Sequence, residues 1–233
     1  AVITRPMMFF HLSIQHINSA TSTRCADGAL RLYAVTDRAW LKPGESLLEP
    51  VEAVLKGGAT MVQLREKQLD LPHFRREALE IQALCRRYGV PFLINDNVDL
   101  ALDIGADGVH VGQEDMEAGL VRQKLGPGKI LGVSAHSPEE ALRAQAAGAD
   151  YLGAGAVFHT GTKSNVSTLS YDTLRDICAA VKIPVVAIGG IHRENLLQLA
   201  GCGEAGIAVI SAIFAQPDIE AACRELREMV RKL

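Results

Sequence analysis

From Ala29 onward, short runs of β-branched and aliphatic residues alternate with longer stretches whose apolar positions recur at helical spacing. The short runs predict strands at Arg31–Thr36, Met61–Glu66, Phe92–Asn95, Gly108–Val111, Ile130–Ser134, Tyr151–Ala156, Val185–Gly189 and Ile207–Ile210. The longer stretches predict helices at Leu47–Lys56, Pro72–Tyr88, Asp99–Ile104, Met116–Leu125, Pro138–Ala147, Tyr171–Val181, Arg193–Ala200 and Ile219–Lys232. Strict alternation of this kind builds βα units on a parallel sheet. The count matches a single α/β (β/α)8 TIM barrel.

An internal echo supports that reading. Gly57-Gly58-Ala59-Thr60, Gly105-Ala106-Asp107, Gly148-Ala149-Asp150 and Gly201-Cys202-Gly203 each fall between a helix and the next strand. Glycine there can end a helix in the left-handed conformation, and the spacing marks every second strand, as in a quarter-barrel repeat. A doubly wound open sheet is the structural alternative, but no G-x-G-x-x-G follows the first strand. The barrel is assigned to residues 31–233 and a short extension to residues 1–30, helical or partly made of added residues, since the chain opens on Ala1 rather than Met.

Composition narrows the function classes. With 48% hydrophobic residues among 233, a large core is available, while aromatics at 5% are too few for an aromatic-lined binding module. The net charge of −3 supplies no global field for nucleic acid or anionic membrane, so an anionic ligand needs a local cluster. Cys25, Cys85, Cys178, Cys202 and Cys223 are odd in number and form no C-x-x-C pair, which fits a reducing cytoplasm better than a disulfide framework or zinc site. No stretch of about 18 apolar residues spans a bilayer. The apolar run Met7–Ile14 is interrupted by His11 and has no clean cleavage site after it, against a signal peptide.

Barrel enzymes work at the C-terminal ends of their strands. The second strand ends Gln63-Leu64-Arg65-Glu66-Lys67, and alternation puts Gln63, Arg65 and Lys67 on one face, Leu64 and Glu66 on the other. Two cations on one face suit a diphosphate clamp, or equally an ion pair with neighbouring carboxylates. The third strand ends Asn95-Asp96 and the fourth runs into Gly112-Gln113-Glu114-Asp115, so two aspartates can meet across the mouth. Magnesium commonly takes one or two carboxylates and completes its shell with water and phosphate. Asp115 could also cap the next helix. Ser134 could bind phosphate or be a passive small residue beside Ser137, a helix cap. Phe158–Asn165 is a long polar loop in which Lys163 is a second cation, bound or solvated. Gly189-Gly190 and Ile210-Ser211 end the last two strands, where such barrels often hold phosphate on backbone N–H groups, although a helix-entry turn would need one glycine. His110 sits mid-strand and is read as a hydrogen-bonded core histidine; Asp107 and Asp150 are read as structural.

Taken together, Leu32-Tyr33-Ala34-Val35-Thr36-Asp37, Gln63-Leu64-Arg65-Glu66-Lys67, Asn95-Asp96, Gly112-Gln113-Glu114-Asp115, Gly132-Val133-Ser134-Ala135-His136, Thr160-Gly161-Thr162-Lys163 and Ile188-Gly189-Gly190-Ile191 resemble the thiamine-phosphate synthase family. The likeness runs in order from Arg31 to Phe214. It implies that Gln63, Arg65, Lys67, Asn95, Ser134 and Lys163, with Leu64 and Glu66 in the same motif, hold an aminopyrimidine diphosphate. Arg65, Lys67, Ser134 and Lys163 would be the catalytic set, and Asp96 and Asp115 would bind one magnesium ion. Thr160, Gly161, Thr162, Gly190, Ile210 and Ser211 would hold a thiazole phosphate. His159 stands where the family has proline, and nothing before Arg31 matches.

The reaction so implied joins the two substrates by departure of diphosphate, formation of a pyrimidine carbocation and capture by the thiazole nitrogen. Rival readings are a thiazole tautomerase of the same superfamily, a phosphosugar isomerase or epimerase, and a non-enzymatic thiamine-phosphate binder. The tautomerase lacks the diphosphate clamp, and the isomerase would need a facing acid–base pair that Asp96 and mid-strand His110 supply poorly. Partners are expected to be small phosphorylated molecules, with a homodimer expected and neither nucleic acid nor membrane.

Overall fold

A computed structural model describes Cys25 and residues 28–113, 117–159 and 168–233. Eight parallel strands close into a barrel in sequence order: β1 Leu32–Val35, β2 Met61–Leu64, β3 Phe92–Asn95, β4 Gly108–Val111, β5 Ile130–Ala135, β6 Tyr151–Gly155, β7 Val185–Ile188 and β8 Gly206–Val209, with β8 pairing back to β1. Around them run α1 Leu48–Lys56, α2 Leu71–Tyr88, α3 Val98–Asp103, α4 Ala118–Leu125, α5 Pro138–Ala146, α6 Tyr171–Ala180, the short α7 Ser211–Phe214 and α8 Ile219–Met229. Strand alternation divides the core in two. Leu32, Ala34, Val62, Leu64 and Ile94 pack outward against the helices. Tyr33, Val35, Met61, Leu93, Tyr151, Val186 and Ala208 fill the interior. No helix among the described residues is long and apolar enough to cross a membrane.

The repeated turns have a common physical task. Gly58, Gly105, Gly148 and Gly201 all carry positive φ, at 96°, 64°, 97° and 83°. Just before the even strands, a side chain then accepts an N–H from the first or second residue of the preceding strand. Thr60 Oγ1 takes Leu32 N at 2.9 Å, Asp107 Oδ2 takes Phe92 N at 2.8 Å and Asp150 Oδ2 takes Leu131 N at 2.8 Å. Asp107 and Asp150 are structural, as the sequence suggested. Asp150 also pairs with Arg122 at 2.5 Å.

The fourth repeat breaks the rule. Ala205 precedes β8, and Glu204 beside it has both carboxyl oxygens buried without a hydrogen-bond partner. Burial pushes its pKa above the usual carboxylate value, offset only by its own backbone N–H. A raised carboxyl favours the protonated form, so the fold gains from this group below the unfolded value near 4.3 and loses that gain as pH rises. Glu204→Gln should therefore raise Tm at pH 7 by about 2–4 °C, equivalent to about 1 kcal/mol in a chain of this size. The gain should shrink towards zero by about pH 4. Thermal melts at the two pH values check this; equal shifts at both would disprove the ionisation account.

Three sequence expectations are corrected. The helix expected over Arg193–Ala200 is only a 3-10 turn, Leu196–Leu199. Asn195 accepts the N–H of His192 and donates to the carbonyl of Gly190, which ties up the chain ahead of the turn. The helix expected from Met116 begins at Ala118, capped by Glu117, which accepts from Gly119 and Leu120; the cap is thus Glu117 rather than Asp115. Ser211–Phe214 forms a short helix where none was expected. Ser137 does cap α5, accepting the N–H of Glu140. All five cysteines are free, and burial holds Cys25, Cys85 and Cys178 up at about 12, so these thiols are protonated packing groups.

Candidate active site

The strand ends converge on one cavity of about 190 Å³ at the C-terminal mouth. A water needs only ~10–15 Å³ of such space, so a ring-sized ligand fits. Gln63, Arg65 and Lys67 all line it, as alternation along β2 requires. Leu64 and Glu66, which the family motif places in the same group, do not. Leu64 is fully buried against the helix layer, and Glu66 faces away from the cavity into an ion-pair cluster.

That cluster explains why Glu66 belongs to the motif. Arg38 bonds Glu66 Oε2 at 2.8 Å and Glu77 of α2 at 2.5 Å, while Glu66 Oε1 accepts the N–H groups of Gln68 at 2.6 Å and Leu69 at 3.0 Å. Burial alone would raise the Glu66 pKa; the backbone and Arg38 hydrogen bonds outweigh it and leave the carboxyl below its usual value. The carboxylate thus pins the turn that follows β2, and with it the direction in which Lys67 leaves the strand.

Across the mouth, Lys67 Nζ meets Asp96 Oδ2 at 2.5 Å and Asn95 Nδ2 meets Asp96 Oδ1 at 3.0 Å. Asp96 has φ 62°, a left-handed conformation that aspartate tolerates better than most residues. It lies between the end of β3 and Asn97, whose side chain accepts Leu100 N at 2.9 Å and starts α3. Arg65 contacts Asp37 at 3.4 Å, leaving most of its donor fork uncommitted to that carboxylate. Gln113 Nε2 donates to the Ser134 carbonyl at 2.6 Å and fastens the chain leaving β4 to β5.

The far side of the cavity is formed by β6, β7 and β8. Ala156, Gly189, Gly190, Ile210 and Ser211 line it. Both glycines are required by packing. Gly189 and Gly190 have φ 100° and 63°, and a Cβ on them would lie 2.5 Å from Ala156 Cβ and 2.4 Å from the His159 carbonyl. The backbone passes close beneath the loop that leaves β6. Thr160, Gly161, Thr162 and Lys163 on that loop lie outside the described residues, as does Asp115.

His110 is hydrogen-bonded within the barrel, as its mid-strand position suggested, but it also lines the cavity. Its ring nitrogens contact Tyr151 Oη at 2.9 Å and Ser134 Oγ at 3.1 Å. Tyr33 and Tyr151 were not singled out in the sequence, although a tyrosine facing a barrel interior must satisfy its hydroxyl somewhere.

Among the described residues no three His, Cys, Asp or Glu groups gather as a ready metal cage. The donor chemistry at the mouth, an Asp96 carboxylate beside an amide, suits a hard cation that completes its shell with water and substrate oxygens.

A profile of the thiamine monophosphate synthase family matches residues 32–213. The chain belongs to that family. The thiamine-phosphate synthase of Ruminiclostridium cellulolyticum is 49% identical over 198 residues, 85% of this chain and 94% of that one. A probable thiamine biosynthetic bifunctional enzyme of Oryza sativa, described as chloroplastic, is 46% identical over 225 residues, 95% of this chain and 41% of its own length. Among solved structures, a thiamine phosphate pyrophosphorylase from Pyrococcus furiosus superposes with a TM-score of 0.80 at 42% identity, covering 88% of this chain and 97% of that one. Family membership and the barrel architecture therefore agree.

Proposed function

We propose that this barrel is a magnesium-dependent thiamine-phosphate synthase, an alkyl transferase that couples an aminopyrimidine methyl diphosphate to a thiazole ethyl phosphate. The observation that carries the reading is one cavity with two unlike borders. Basic and acidic side chains just past the ends of β2 and β3 face it on one side, and the close-packed glycine backbone after β7 faces it on the other. Two phosphorylated substrates can then lie with their reactive atoms toward each other.

In this reading Arg65, Lys67 and Lys163 grip the diphosphate, Asn95 supports it, and Gln63 and Ser134 hold the pyrimidine. Thr160, Gly161, Thr162, Gly190, Ile210 and Ser211 hold the thiazole phosphate. Asp96 and Asp115 would hold one magnesium ion, which would supply charge neutralisation to the leaving diphosphate. The C–O bond at the pyrimidine CH2 breaks, and its electron pair leaves with the diphosphate. The amino-pyrimidine ring stabilises the resulting cation, and the thiazole nitrogen's lone pair forms the new C–N bond. No proton needs to be removed and no protein nucleophile is required, so His110 need not act as a base. The cationic side chains do the electrostatic work on the departing oxygen. Arg65 and Lys67 at the cavity favour this over a tautomerase, which handles no diphosphate. The free thiols are in keeping with a reducing compartment such as the cytoplasm.

Calorimetry tests the two-border arrangement. Thiazole phosphate should bind with undiminished affinity when the protein is already saturated with inorganic diphosphate and magnesium. Mutual exclusion of the two anions would refute a two-substrate site.

A further inference from the structure

A chain of hydrogen bonds runs along the cavity floor from Gln63 to Ser134. Gln63 Nε2 donates to Tyr33 Oη at 2.6 Å, Tyr33 Oη meets Tyr151 Oη at 2.8 Å, Tyr151 Oη meets His110 Nδ1 at 2.9 Å, and His110 Nε2 meets Ser134 Oγ at 3.1 Å. The chain crosses the barrel through β2, β1, β6, β4 and β5. Strand β5 makes room for it: a Cβ at Gly132 would fall 2.2 Å from the Tyr151 hydroxyl and 2.5 Å from His110 Nδ1. Tyr33 and Tyr151 are 1% and 0% exposed, and Tyr151 does not line the cavity.

We propose that Tyr33, Tyr151 and His110 act as a positioning relay that fixes the hydrogen-bonding sense of Ser134 and Gln63 toward the pyrimidine. The inference rests on the synthase reading for the identity of the ligand, and on the geometry alone for the relay.

Burial pushes both phenols well above their usual pKa, so each keeps its single proton. With Gln63 donating to Tyr33, the sense that keeps both phenol hydrogens within the chain passes the Tyr33 hydrogen to Tyr151 and the Tyr151 hydrogen to His110 Nδ1. A neutral imidazole that accepts at Nδ1 must donate at Nε2. Ser134 Oγ receives that proton, and its own hydrogen is left for the cavity. Ser134 therefore faces the substrate as a donor, while Gln63, its amide nitrogen engaged, offers its oxygen as an acceptor. One donor and one acceptor match a heterocycle edge that carries a ring nitrogen beside an amino group.

Tyr151→Phe cuts the relay at a residue behind the cavity wall. The preference of His110 for the Nε2–H tautomer then weakens, and the Nδ1–H tautomer turns the Ser134 hydrogen inward. The expected result is a loss in kcat/KM of about 10-fold, the scale of one neutral hydrogen bond. Ser134→Ala should cost at least as much, and the double variant should be no slower than Ser134→Ala alone, which is the signature of coupling. Effects that multiply, or a Tyr151→Phe enzyme of normal activity, would overturn the relay. A second readout needs no turnover: 15N spectra of histidine-labelled protein should show His110 protonated at Nε2 in the parent chain and a tautomer mixture in Tyr151→Phe. A parent His110 protonated at Nδ1 would also overturn the proposal. A parent chain without synthase activity but with the expected tautomer would instead discard the synthase reading and leave the relay standing.

Discussion

Replacing Arg65 with alanine should lower turnover by about 10²–10³-fold, the usual cost of removing one well-placed electrostatic donor, while the barrel stays folded. Arg65 stands at the C-terminal end of β2, where its guanidinium lines the cavity and, among the described residues, touches a carboxylate only at Asp37, 3.4 Å away. Asp37 has a second task, accepting the N–H of Ala39 at 3.0 Å, so it keeps its place when the arginine is lost. The pair is partly solvent-exposed, and such pairs contribute little to stability. The planar fork is what matters to a diphosphate, and Lys in its place would give a point charge with poorer geometry. Lys163→Ala should behave in the same way if the loop after β6 brings a second cation to the leaving group. Steady-state kinetics, with a thermal melt to confirm folding, measure both. Near-normal kcat in both variants would remove the clamp from the account.

Asp96→Asn should be equally damaging and should fail in a different way. Asparagine tolerates the left-handed backbone found here, at φ 62°, and has the same shape, so the turn between β3 and α3 survives. What is lost is a full negative charge at the mouth. Turnover should fall by about 10²-fold or more, and the magnesium concentration for half-maximal rate should rise at least about 10-fold. Lys67, which meets Asp96 at 2.5 Å, also loses its partner, so part of the effect comes from the clamp itself. The magnesium titration separates the two contributions. An unchanged half-saturating concentration alongside a reduced rate would mean that Asp96 serves only to place Lys67.

The barrel was legible because period-two strands and period-3.6 helices alternate through the chain, punctuated by glycine turns. The failures were local. The stretch Arg193–Ala200 has the composition of a helix, but Asn195 diverts its hydrogen-bonding capacity to His192 and Gly190, a tertiary choice that spacing does not reveal. On β2, alternation correctly separated Gln63, Arg65 and Lys67 from Leu64 and Glu66, whereas the motif lumped them together. Glu66 is tied to Arg38, which also holds Glu77, and no pattern around Glu66 announces partners so distant in sequence. The His110 chain was hidden for the same reason: its links join residues up to 118 positions apart.

The most direct test of the account is product formation. The purified chain is mixed with 4-amino-2-methyl-5-(diphosphooxymethyl)pyrimidine and 4-methyl-5-(2-phosphooxyethyl)thiazole, with magnesium or with the metal chelated. The account predicts thiamine phosphate and diphosphate in equal amounts, formed only when magnesium and both substrates are present. A folded protein that binds both substrates with magnesium and forms neither product would contradict it.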